Sequence, residues 1–196
     1  MTNQIPTDAP KLYMLLLGSK APGRHIEQHD IFFGIGNSLK ELVPDIKAFW
    51  RNTGTSLHID GYREVNAVNG YRVKVVPKGA DNQPSGNRLF FVNLGGYLSG
   101  QLAEQHHIVL TVQSDKGLAI QQSKKTVFFR TNNISGPKGA SAHVDDKYGI
   151  DVDDIYNIEE MLSPALKDKY YIDITPAEDL AEDEIHLGYF KLDKLT

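Results

Sequence analysis

Glu27 and His29 stand two residues apart in IEQHDIFFGIG, and His58 and Asp60 stand two apart in SLHIDGY. Residues at that spacing on a strand point to one side. An imidazole beside a carboxylate is equipped for acid–base work, because the carboxylate sets the tautomer and orientation of the ring. Two imidazoles and two carboxylates together also resemble the donor set of zinc or iron. The same pairs recur as Glu104 and His106 in AEQHHIVLTVQ, and as His143 and Asp145 in SAHVDD. Four of the seven histidines occupy these matched positions. Glu27, His29, His58, Asp60, Glu104, His106, His143 and Asp145 are therefore the expected ligand-binding residues.

A structural role competes with this. A histidine or aspartate at a strand end commonly hydrogen-bonds a neighbouring turn, and His29 shares its strand face with Ile31, Phe33 and Ile35. The spacing also lacks the specificity of paired Cys-x-x-Cys motifs. No metal ligand, catalytic residue or cofactor is assigned. Other motifs carry less. GSKAPG and GGYLSG have the glycine spacing of a phosphate loop, but no Gly-Lys-Ser/Thr follows and a strand rather than a helix comes next. Turns using the positive φ of glycine explain them. HVDDKYGIDVDD is rich in aspartate but departs from the EF-hand pattern. No Gly-x-Ser-x-Gly occurs.

The elements that must position these residues come in two copies. A shift of 77 places Leu12, Leu17, Gly18, Gly23, Glu27, Gln28, His29 and Ile31 on identical residues. A longer shift lays SLHIDGY on SAHVDDK, and a still longer one lays RVKVVP on YIDITP. Each copy reads β-β-α-β-β. KLYMLLLG is continuously apolar and predicts a central strand, and HDIFFGIG predicts its neighbour. SLKELVPDIKAFW has helical apolar spacing, with Ser38 and Glu41 as a capping box and Pro44 as either a kink or the true start. Asn69-Gly70 predicts a tight hairpin. In the second copy a helix is expected around Ile155 to Leu162, capped by Asp153 or Asp154 and broken at Ser163-Pro164. The acidic stretch PAEDLAEDE reads as a solvated loop before a last strand, IHLGYFKL. The expected division is a disordered 1–10, a repeat unit over 11–76, a linker over 77–87 and an enlarged repeat unit over 88–196. The expected fold is α+β, with mostly antiparallel sheets, helices on one face and a pseudo-two-fold arrangement.

The chain's 196 residues suffice for a substantial core without cross-links. A net charge of -4 and a pI near 6.0 offer no footprint for nucleic acid. The absence of cysteine excludes disulfides, thiol catalysis and thiolate metal sites. The polar start MTNQIPTDAP is no signal peptide, and LYMLLL is too short to span a membrane. A cytoplasmic location is expected, without membrane association.

LYMLLLG, GRHIEQHDIFFGIGNS and LHIDGY, together with HVDDKYGIDVDDIYNIEE, resemble the bacterial domain-of-unknown-function family 1543 in its two-copy form. That resemblance implies a duplicated bacterial cytoplasmic protein and no particular activity. The residues themselves point first to a module binding a small molecule or peptide near the matched pairs. The alternatives are an enzyme using His–carboxylate or metal-assisted chemistry, and a protein–protein interaction module without a pocket.

Overall fold

The computed structural model describes residues 9–51, 53, 56–79, 86–97, 102, 104–125 and 150–195. The chain forms two compact units, one of Met1–Pro84 with Met161–Thr196 and one of Ser85–Glu160. This division by compactness differs from the sequence repeats. The end of the chain folds with the beginning.

In the first unit, β1 (Lys11–Ser19) lies between β2 (Gln28–Gly36) and β3 (His58–Glu64), antiparallel to both. This inner place is what its unbroken apolar run requires. A 3-10 turn (Leu39–Leu42) leads into α1 (Val43–Phe49). Pro44 sits in the first turn of α1 and so marks its start, where a missing N–H costs nothing. The expected capping box of Ser38 and Glu41 is not made. The Ser38 side chain makes no cap, while the Glu41 carboxylate accepts from the Asn37 backbone N–H at 2.9 Å. Leu42 and Ile46 pack on Tyr13, Leu15, Leu17 and Ile59, all nearly solvent-free. Each such burial stabilises by about 1.5–3 kcal/mol, which fixes α1 on one sheet face.

β4 (Ala67–Val68) and β5 (Tyr71–Pro77) form the expected hairpin, with Asn69 and Gly70 at φ 52° and 79°. The strand partners of the tail lie in this unit. β9 (Tyr170–Pro176) pairs with β5, and β10 (His186–Lys191) extends the first sheet beyond β3.

In the second unit, β6 (Arg88–Tyr97) lies between β7 (Glu104–Gln113) and β8 (Ile150–Asn157), the strand order of the first sheet again. Asp115 caps α2 (Lys116–Ser123), accepting from the Leu118 N–H at 3.0 Å. The helix expected from Ile155 is a correction. β8 runs through Asn157, paired with Phe90, and only then does α3 (Ile158–Met161) begin. Asp154 is in the strand, and the Asn157 side chain accepts from the Glu159 N–H instead. Pairing with a neighbouring strand outweighed helical periodicity there. Ser163-Pro164 ends one helix as expected but also starts α4 (Pro164–Lys169). All described strand pairs are antiparallel and the fold is mixed α+β. Among the described residues, no helix is long and apolar enough to cross a membrane.

Candidate functional site

β2 and β3 are not neighbours, because β1 separates them. His29 and His58 both stand in register with Gly18, one on each side of it. Strands are about 4.8 Å apart, so the two backbones are about 10 Å apart at this point. Gly18 lets their side chains meet. A Cβ at Gly18 would run into His58 Nε2 and Asp60 Oδ2, so these side chains could not keep their places over it. A β-bulge adds to this. β1 pairs Leu17 with Ile59 and Leu16 with Gly61, so Asp60 is the extra residue. Bulges of this kind re-aim a side chain.

The result is a cluster of all four residues expected from the first copy. His29 Nε2 is 3.1 Å from Asp60 Oδ2, and His58 Nε2 is 3.1 Å from Asp60 Oδ1. Glu27 reaches both rings, 3.4 Å from His58 Nε2 and 4.0 Å from His29 Nε2. His58 is 2% exposed, whereas His29 and Glu27 reach solvent.

The tautomer of His58 follows from its other nitrogen. Nδ1 is 2.7 Å from the Ser56 carbonyl oxygen, which can only accept, so Nδ1 carries a hydrogen. Nε2 is thus the nitrogen at which a proton or ligand is exchanged. It faces two carboxylates, and a proton or a cation there makes both approaches attractive. His58 Nε2 and Asp60 Oδ2 are buried yet complete no aligned hydrogen bond. A buried polar atom in that condition is costly and calls for a functional explanation. The carbonyl that orients the ring is itself held. Ser56 Oγ donates to the Thr53 carbonyl at 2.8 Å and lies 2.7 Å from Ser19 Oγ.

Tyr189 of β10 covers one face of the His58 ring, with centroids 4.1 Å apart. Beside them opens a cavity of about 610 Å³, walled by α1, the segment before β3, and β10. Lys47, Trp50, Arg51 and Lys191 line it with His58 and Tyr189.

The second unit does not repeat the cluster among its described residues. His106 stands in register with Gly95, as His29 does with Gly18, and Glu104 lies 3.7 Å from its Nε2. These two groups are largely exposed, and Asn93 Nδ2 lies 3.3 Å from His106 Nδ1. β8 carries a bulge at the same place as β3, and Asp151 takes the backbone position opposite Gly95. His143 and Asp145 lie outside the described residues. Of HVDDKYGIDVDD, only the part in β8 is described, and it is strand rather than a cation-binding loop.

Residues 24–75, from the turn before β2 into β5, match the profile of the family described as Domain of Unknown Function (DUF1543). The matched segment is similar to that family. It contains Glu27, His29, His58 and Asp60. No curated protein matches the chain. Among solved structures the chain is similar to protein Il1583 from Idiomarina loihiensis, at 23% identity and a TM-score of 0.63, over 94% of this chain and 99% of that one. That likeness is one of fold alone.

Several residues that shape the cluster leave little mark in the sequence. Gly18 was visible as a match to Gly95, but its run GSKAPG read as a turn. Only Gly23 has positive φ there, at 78°, while Gly18 is in the strand under two side chains. Ser56 and Tyr189 carried no signal at all, since a hydroxyl that braces a loop and a ring from a distant strand leave no local pattern.

Proposed function

We propose that the chain is a small-molecule binding module, with His58 as the centre of its site. The observation that carries this is the position of His58. One residue is both the buried hub of the His–carboxylate cluster and part of the wall of a cavity of small-molecule size. The cavity admits the ligand, and the ring with Glu27, His29 and Asp60 supplies groups that accept or donate a proton. The NMR signal of the His58 ring, followed across a library of metabolites added to the intact chain, tests this. Compounds that move it, and lose affinity in His58→Gln, support binding. If no compound moves it while His58→Gln only lowers stability, the four residues merely tie strand ends and the proposal fails.

A second reading, metal-assisted chemistry, is favoured by the donor spacing. Donors 3.1–4.0 Å apart bracket the edge of a tetrahedron around zinc, about 3.3 Å for bonds of about 2.0–2.1 Å. A ligating histidine also usually gives its other N–H to a carbonyl, as His58 does. Against it, no three such groups among the described residues are gathered ready to hold an ion, so Glu27 would have to close on His29. Elemental analysis of the purified protein and of Asp60→Asn decides between the readings. Stoichiometric zinc or iron lost in the variant favours the second.

We also propose that the chain is an internally duplicated bacterial cytoplasmic protein, as the family resemblance implies. The β5–β9 pairing supports the duplication. The repeat places Arg72 on Tyr171 and Val76 on Thr175, and Arg72 pairs with Thr175 while Val76 pairs with Tyr171. Such self-matching pairing is what two-fold symmetry produces.

A further inference from the structure

We infer that the ligand taken beside His58 is a small anion carrying a flat ring, its charge received by Lys47, Arg51 and Lys191. This rests on the binding role of His58 and names the class of ligand. The charge balance of the cavity points to an anion. Three cationic side chains line it against one carboxylate, Asp193, in a chain whose net charge is -4. None of the three cations forms an ion pair among the described residues. Arg51 is partly oriented already, since its Nε donates to the Ala48 carbonyl at 3.2 Å. A concave site lined by one sign of charge concentrates the opposite sign and repels its own. Guanidinium and ammonium groups suit carboxylate and phosphate oxygens.

The ring is inferred from the walls. Trp50 and Tyr189 both line the cavity, and Tyr189 is braced against His58 with 62% of its surface still exposed. Aromatic walls accept a planar group by offset or edge stacking. The volume of about 610 Å³ lies within the range of sites for molecules of mononucleotide size. The chain's net charge of -4 argues against a nucleic-acid polymer as the occupant.

Trp50 is the only tryptophan of the chain, so its fluorescence reports on this cavity. The intact protein is titrated with adenosine monophosphate and benzoate, with their uncharged counterparts adenosine and benzamide, and with the cation benzamidine. Saturable changes of Trp50 emission are expected for the two anions, at affinities at least about tenfold above those of the uncharged and cationic compounds. Arg51→Gln and Lys191→Gln are each expected to weaken anion binding by about tenfold without moving the thermal midpoint. If adenosine, benzamide or benzamidine binds as tightly as the anions, or if both variants bind them unchanged, the anionic class is wrong while binding beside His58 stands. If no compound of any charge alters Trp50, the anion and the binding role fall together.

Discussion

Gly18 is the residue on which the cluster depends. It donates no functional group, yet it is the gap through which His29, His58 and Asp60 meet from opposite sides of β1. Gly18→Ala is expected to cost about 1–3 kcal/mol in denaturant unfolding, because the added methyl meets packed atoms. It should also shift the His29 and His58 ring signals. Gly79→Ala, where a Cβ meets nothing within 4 Å, should leave both unchanged. An equal response of the two variants would contradict the packing described. Tyr13 offers a second test at this scale. Burial first, and the Glu64 carboxylate next, push its hydroxyl up to about 12 from 10.0. Folding therefore favours the protonated phenol, and this contribution to stability is complete below pH 10.0 and lost as pH rises through about 12. Ultraviolet titration should show one tyrosine ionising well after exposed ones, with Tyr13→Phe removing it.

Elements carry their own constraints. The hairpin between β4 and β5 turns through Asn69 and Gly70 at positive φ, as the Asn-Gly pair predicts. Gly70→Ala should destabilise by about 1 kcal/mol through backbone strain, although its Cβ would meet no atom. The acidic stretch before β10 is more than a solvated loop. Asp183 accepts from the backbone N–H of Asn66 at 3.1 Å and lies 3.3 Å from that of Ala67, so it fastens the tail to the corner after β3. Asp183→Ala is expected to cost about 1 kcal/mol and to speed hydrogen exchange at Asn66 and Ala67. Unaltered exchange at both amides would contradict that contact. Where strand pairing was local the elements were legible beforehand, as β1, β2 and the hairpin were. The helix expected from Ile155 begins only at Ile158, because the β6 partner that claims the residues before it lies about sixty residues earlier in the chain.

Over the whole molecule, the chain's end completes its beginning. β9 and β10 belong to the same compact unit as β1 to β5. A fragment of residues 1–84 would lack the partner of β5 and the strand that covers His58. Its circular dichroism and amide spectrum should show no cooperative fold, and addition of a 161–196 peptide should restore one, at least in part. A fragment that folds unaided would show the tail to be an accessory. The cavity beside His58 should likewise disappear from any chain cut before β10, since Tyr189 and Lys191 come from that strand.

The sequence by itself determined β1, β2 and the Asn-Gly hairpin, the matched Glu-x-His and His-x-Asp pairs and the inner place of KLYMLLLG, because these follow from local periodicity and spacing. Only the tertiary structure decided what the pairs are near. The meeting of His29 with Asp60 rests on one missing Cβ and one bulge in a neighbouring strand. The cavity rests on a strand more than a hundred residues from His58. Such contacts are set by long-range burial and pairing, and a linear pattern of residue types holds no record of them.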